Sequence, residues 1–148
     1  MEVNMLQYKN GKLHTNGFSF EIPEGFYLNT VPGSTHENMV EFFAPEKTFS
    51  ICFKFEDDCE DIQTELEYDL TEDAGGIALK PIKDVVVNGI KGKELYSTGG
   101  RMQDYHLRLS KTEFEQFIVY VTTFGSSIID AMNTSQMKKI IQSITLEE

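Results

Sequence analysis

Phe18, Phe20 and Ile22 alternate with Ser19 and Glu21, a period of two that predicts an extended strand, and Pro23-Glu24-Gly25 supplies the turn that ends it. Upstream, Leu6, Tyr8 and Leu13 flank Lys9-Asn10-Gly11-Lys12, which reads as a short hairpin over residues 5–14 about an Asn-Gly turn. Phe26 and Leu28 resume an extended segment, and the run 31–38, with Pro32, Gly33 and Ser34, reads as a loop. Met39 to Ala44 and Phe49 to Phe55 predict a strand pair joined through Pro45-Glu46-Lys47. In the second strand Phe49, Ile51, Phe53 and Phe55 share one face, and Ser50, Cys52 and Lys54 the other.

The period then changes. Ile62, Leu66 and Leu70 recur every four residues, which predicts a helix from about Asp58 to Asp73 with Asp58 as its N-cap and Gly75-Gly76 at its end. Beyond it the pattern is again extended: Ile82 to Val87, an Asn88-Gly89 turn, Ile90 to Ser97, Met102 to Ser110 and Phe114 to Phe124 predict a four-strand antiparallel meander. Met137, Ile140, Ile141 and Ile144 then follow helical spacing, with Thr134 or Ser135 as cap, after a short helical turn at Ile128, Ile129 and Met132. Strands, helix, meander and helix in that order predict an α+β fold, an α/β/α sandwich whose antiparallel sheet is covered by helices. No linker or repeat divides the 148 residues, so a single domain over 1–148 is expected, with its core at about 17–146.

Charge changes this picture in one segment. Between Phe55 and Leu79 stand ten acids and no Lys or Arg, whereas the rest of the chain is nearly neutral, at 13 bases against 14 acids. Asp61, Glu65, Asp69 and Asp73 follow each other at i, i+4 and so line one ridge of like charge on the predicted helix, an arrangement that costs helix stability and fits either a docking surface for a basic partner or a face that only solubilises. The opposite pole, Lys80 to Lys111, holds seven bases against Asp84, Glu94 and Asp104. If the two lay on opposite layers, the molecule would be strongly dipolar. A net charge of -11 argues against nucleic acid or an anionic membrane as partner and leaves a basic protein partner, or mere solubility, as its meaning. No apolar stretch approaches the roughly 20 residues of a membrane helix, and the N-terminus has no basic start or apolar h-region, so a cytoplasmic protein is expected unless a leader precedes the sequence. Cys52 and Cys59 make no disulfide framework and are expected to be free.

No motif points to catalysis. There is no Gly-x-Ser-x-Gly elbow, no Walker sequence and no Gly-x-Gly-x-x-Gly; Gly89-Ile90-Lys91-Gly92 has the spacing of a backbone clamp but overlaps a hairpin turn. His14, His36 and His106 are scattered and neither cysteine belongs to a Cys-x-x-Cys pair, so no metal and no cofactor are expected. One strand is chemically mixed: Met102, Asp104, His106 and Arg108 face one way, Tyr105, Leu107 and Leu109 the other. The first set reads as a polar, solvated sheet face, with Asp104 placed to orient His106. Tyr96, Arg101, Asp104, His106 and Arg108 are the candidate binding residues on the sheet, beside the ridge on the helix.

The segment Phe18-Ser19-Phe20-Glu21-Ile22-Pro23-Glu24-Gly25-Phe26, with the order of elements and a final helix like Met137 to Ile144, resembles the PsbP-like family, which includes the extrinsic photosystem II subunit and a Ran-binding nuclear-import factor. Members often carry Trp where this sequence has Phe26. The resemblance implies a compact α/β/α sandwich and a non-catalytic role in docking or assembly, without transferring any residue-level function. The chain is therefore expected to be a protein-interaction or assembly domain that docks through the acidic helix or the polar sheet face. The alternative is a small-molecule binder or enzyme with a pocket between the sheet and the 31–38 loop, contacted by His36, Tyr96, Tyr105 and His106.

Overall fold

The computed structural model describes residues 7–9, 12–29, 39–45, 48–72, 76–99 and 102–147. The fold is α+β. Its centre is a mostly consecutive antiparallel sheet built from β4 (Tyr27–Leu28), β5 (Met39–Phe43), β6 (Phe49–Glu56), β7 (Ile77–Ala78), β8 (Lys83–Val87), β9 (Ile90–Gly99), β10 (Met102–Ser110) and β11 (Gln116–Phe124). These run in the order β4-β5-β6-β11-β10-β9-β7, with β8 also paired to β9. The meander is thus present, and the β5–β6 pair extends it by placing β6 against β11, Phe53 opposite Val119. Asn88 and Gly89, at φ 50° and 83°, turn β8 into β9, the left-handed geometry that an Asn-Gly hairpin requires.

Gly92 serves a different purpose. A Cβ there would overlap the carbonyl oxygen of Arg108 and lie 2.8 Å from Leu109 Cδ2, so β9 approaches β10 more closely than any side chain at 92 allows.

One face of the sheet meets a second layer formed by α2 (Ile128–Met132), α3 (Ser135–Ser143) and a small sheet, β1 (Gln7–Lys9), β2 (Lys12–Thr15), β3 (Phe18–Glu21) and β12 (Thr145–Leu146), in the order β1-β2-β3-β12. Phe18 and Phe20 are fully buried, and their rings stack on Phe117 at 4.5 Å and Phe53 at 3.9 Å between centroids. Met137, Ile140 and Ile144 of the α3 region reach the same core, as their spacing predicts. Thr134 caps α3, its hydroxyl accepting from the Met137 amide at 3.3 Å. Thr134→Ala is expected to cost about 1 kcal/mol, read from urea unfolding.

The other face is covered by α1 (Ile62–Glu72), which packs across β9 and β10. Several expectations are corrected here. The helix begins three to four residues later than predicted, because the chain at Cys59 is still tied to the meander by the hydrogen bond its backbone N–H donates to the Phe114 carbonyl, at 2.9 Å. Its N-cap is Asp61 rather than Asp58: the Asp61 carboxylate accepts from the Thr64 amide at 3.1 Å and from the Thr64 hydroxyl at 2.8 Å. And the polar face of β10 is not solvated, since Asp104, His106 and Arg108 are 3%, 5% and 4% exposed beneath this layer. Acidic helix and basic meander lie against each other, not on opposite layers. The loop 31–38 and the Asn10-Gly11 turn lie outside the described residues.

Candidate functional site

Arg108 is the charge around which α1 is fixed. Its Nε donates to Asp69 Oδ2 at 3.0 Å and its Nη2 to Asp69 Oδ1 at 3.1 Å, a bidentate pair between the middle of β10 and the second half of α1. Its Nη1 donates to Gln116 Oε1 at 2.9 Å and to Glu56 Oε1 at 3.3 Å, and Glu65 Oε1 lies 3.9 Å from Nη2. Burial works against the guanidinium charge, but the hydrogen bond and charge of Asp69, with Glu56 and Glu65, carry its pKa above the ordinary value, so it is a permanent cation. Gln116 in turn donates from Nε2 to the Glu60 carbonyl at 2.8 Å, which ties the approach to α1 to β11. Leu66 of α1 is fully buried, as is Leu95, which stands opposite His106 in the β9–β10 register.

The two predicted surfaces are therefore largely one interior. Glu65 and Asp69 of the ridge turn toward Arg108 of the sheet, and His106 Nδ1 stands 3.8 Å from Asp69 Oδ2. His106 Nε2 lies 3.4 Å from Ser97 Oγ, and its ring packs against Tyr120 at 4.8 Å. Asp104 shares the face of His106 and Arg108. Tyr96 does not: it stands opposite Tyr105 in the β9–β10 register, on the reverse face, where the two rings meet at 4.9 Å. The same alternation separates His106 from Tyr96 and Tyr105, so those three do not line one pocket. Asp73, Arg101 and His36 lie outside the described residues. Sequence reasoning missed Glu56 and Gln116 as partners of Arg108; their signal was polar residues directly opposite each other on β6 and β11.

The outward side of this region keeps a different set. Asp57, Asp58, Glu60, Asp61 and Glu67 are exposed, along with Tyr68 at half its surface. The Thr64 hydrogen bonds hold the Asp61 carboxyl below its ordinary pKa, as expected of a cap. Among the described residues no cluster of His, Cys, Asp and Glu could hold a metal ion, and no helix is long and apolar enough to cross a membrane.

Both cysteines are free and buried. Desolvation pushes the Cys52 thiol up to about 12, and desolvation with Glu56 and Glu65 pushes Cys59 up to about 11. Neither is expected to react with a thiol reagent at neutral pH until the protein is unfolded, which a stopped titration with and without urea reads directly. The sign for stability follows. As pH rises past the ordinary thiol value of 9.0, the unfolded chain releases protons that the folded one retains, so stability falls toward pH 11–12. Burial holds the Tyr96 and Tyr105 phenols up as well, and adds to the same alkaline loss.

No family model matches the chain, and no curated protein matches it. Solved structures do. The Ran-binding protein Mog1p of Saccharomyces cerevisiae matches with a TM-score of 0.59 at 9% identity, over 95% of this chain and 96% of that one. The structure of a Mog1 point mutant matches with the same TM-score at 10% identity, over 99% and 97%. At this identity the likeness is one of fold. The resemblance read from Phe18 to Phe26 and the final helix is thus matched at the level of the fold, by a protein whose name describes it as Ran-binding.

Proposed function

We propose that this chain is a non-catalytic protein-interaction domain, and that the outward face of α1 with the segment before it docks a basic protein. The observation that carries this reading is the division of one acidic segment: Glu56, Glu65 and Asp69 are engaged by Arg108, while Asp57, Asp58, Glu60 and Glu67 face solvent. The outward set exceeds what the fold consumes. A concentration of like charge on a helix anchored from below steers an oppositely charged surface and fixes its orientation. His106, the imidazole that Asp104 is placed to orient, argues the same way, since it is buried beneath α1. Fold likeness to a Ran-binding protein supports a protein partner as a class and says nothing of its identity here.

Carbodiimide coupling tests the surface itself, because it joins a carboxylate to a lysine in contact with it. Purified protein mixed with host lysate should give cross-links at Asp57, Asp58, Glu60 or Glu67, suppressed by salt. Cross-links confined to acids elsewhere would reject the proposed face.

A further inference from the structure

The β8–β9 ribbon is pinned at its tip and gapped behind it. Asn88 Nδ2 donates to the carbonyls of Gln142 at 2.7 Å and Ile144 at 2.8 Å, so the hairpin turn is fastened to the C-terminal end of α3. Behind that clasp lies a cleft of about 270 Å³ between β8, β10 and α3, walled by Val85, Val87, Leu107 and Ile141. Two acidic or phenolic groups enter it, Glu94 and Tyr105, and no Lys or Arg lines it. Tyr105, 3% exposed, donates its hydroxyl to Glu94 Oε1 at 2.8 Å. That bond holds Glu94, which lines the cleft, through one carboxylate oxygen, and its second oxygen has no described partner. Lys83, opposite Glu94 in the β8–β9 register, is exposed, and among the described residues no ion pair joins the two.

The polarity of the cleft is one-sided. A half-buried carboxylate is stabilised by a cation, and the C-terminal end of a helix favours one too. Here that helix end is α3, whose last turn carries no basic residue. The volume falls just below the range of about 300–1,000 Å³ usual for drug-sized ligands, which limits the occupant to a small molecule. From this geometry we propose that the cleft binds a small amphiphilic monoamine, its ammonium on Glu94 near the end of α3 and its hydrocarbon body against Val85, Val87, Leu107 and Ile141. Charge provides selection and the valine-leucine wall provides affinity.

The site is independent of the α1 face, so its test does not touch that reading. Amide shifts of the full chain, followed by ¹H–¹⁵N correlation spectra at neutral pH, are titrated with n-hexylamine, 1-hexanol and hexanoate. Hexylamine should give saturable shifts at Val85, Val87, Tyr105 and Ile141, and should bind at least about tenfold more tightly than the other two probes. Glu94→Gln keeps the acceptor for Tyr105 and removes the charge; it should weaken hexylamine about tenfold and leave hexanol unchanged. Val85→Trp, which fills the cleft, should abolish the shifts, and should it misfold the Glu94→Gln comparison decides alone. Equal binding of all three probes, an unchanged affinity in Glu94→Gln, or no saturable shift would each overturn the proposal.

Discussion

Arg108→Ala should lower stability by about 3–5 kcal/mol, because it leaves the Asp69 carboxylate beneath α1 without its counter-charge. Asp69 meets Arg108 through two hydrogen bonds, at 3.0 and 3.1 Å, and both groups sit in a layer that water reaches poorly, with Asp69 21% exposed and Arg108 5% in their side chains. Gln116 Oε1 loses its donor at the same time, and Glu56 and Glu65 are left to repel Asp69. For a domain of this size each kcal/mol moves Tm by roughly 2–4 °C, so a melt should shift by roughly 6–20 °C. Two further variants identify the cause. Arg108→Lys keeps the charge but cannot form the bidentate pair, and should recover part of the loss. Arg108→Met combined with Asp69→Leu removes both charges and should recover most of it, since replacing a buried pair by apolar groups is often neutral. An Arg108→Ala protein within about 1 kcal/mol of wild type would mean that α1 is held by Leu66 and its apolar neighbours alone.

Gly92→Ala should be as damaging through the backbone. The added methyl would overlap the Arg108 carbonyl oxygen and approach its carbon to 3.1 Å, and neither is the movable end of a side chain. Relief requires β9 to withdraw from β10, which opens the ladder at Gly92–Leu109 and Lys93–Arg108. It also tilts the strand that carries Arg108. The expected loss is about 3 kcal/mol or more, with backbone strain as its mechanism. Hydrogen exchange should localise it, since protection would fall first in β8, β9 and β10 and last in β3 and α3. Uniform loss of protection, or none, would contradict that placement.

The sequence exposes most of the elements because their periods are clean. Ile51, Phe53 and Phe55, or Tyr105, Leu107 and Leu109, can satisfy one face only as strands, and Met137, Ile140 and Ile144 only as a helix. Two-residue strands such as β7 and β12 leave no period, so their pairing with β9 and β3 was invisible. Alternation also has a blind spot that matters more here. It states which side chains share a face but not what covers that face, and Asp104, His106 and Arg108 therefore read as solvated when they are the floor of a helix. The missing link was charge complementarity across 39 residues: the acids at i, i+4 on α1 repel one another unless a base answers them, and Arg108 answers Asp69. Gly92 carried a second neglected signal. A glycine inside a strand pattern marks close backbone approach, and the place of Gly92 three residues past the Asn88-Gly89 turn gave it a turn reading instead.

That division of the acidic segment leads to the most direct test of the account, which is to reverse charge on the two sides of α1 separately and read folding and partner capture on the same samples. The outer variant is Asp58→Lys with Glu60→Lys and Glu67→Lys, chosen because none of these side chains caps α1 or contacts Arg108. The inner variant is Asp69→Lys. We expect the outer variant to melt within a few degrees of wild type while losing salt-sensitive recovery of a basic protein from host lysate, and the inner variant to lose the fold itself. An outer variant that still captures the same partner at wild-type yield would show that these acids serve only to keep the helix hydrated, and would contradict the docking role assigned to them.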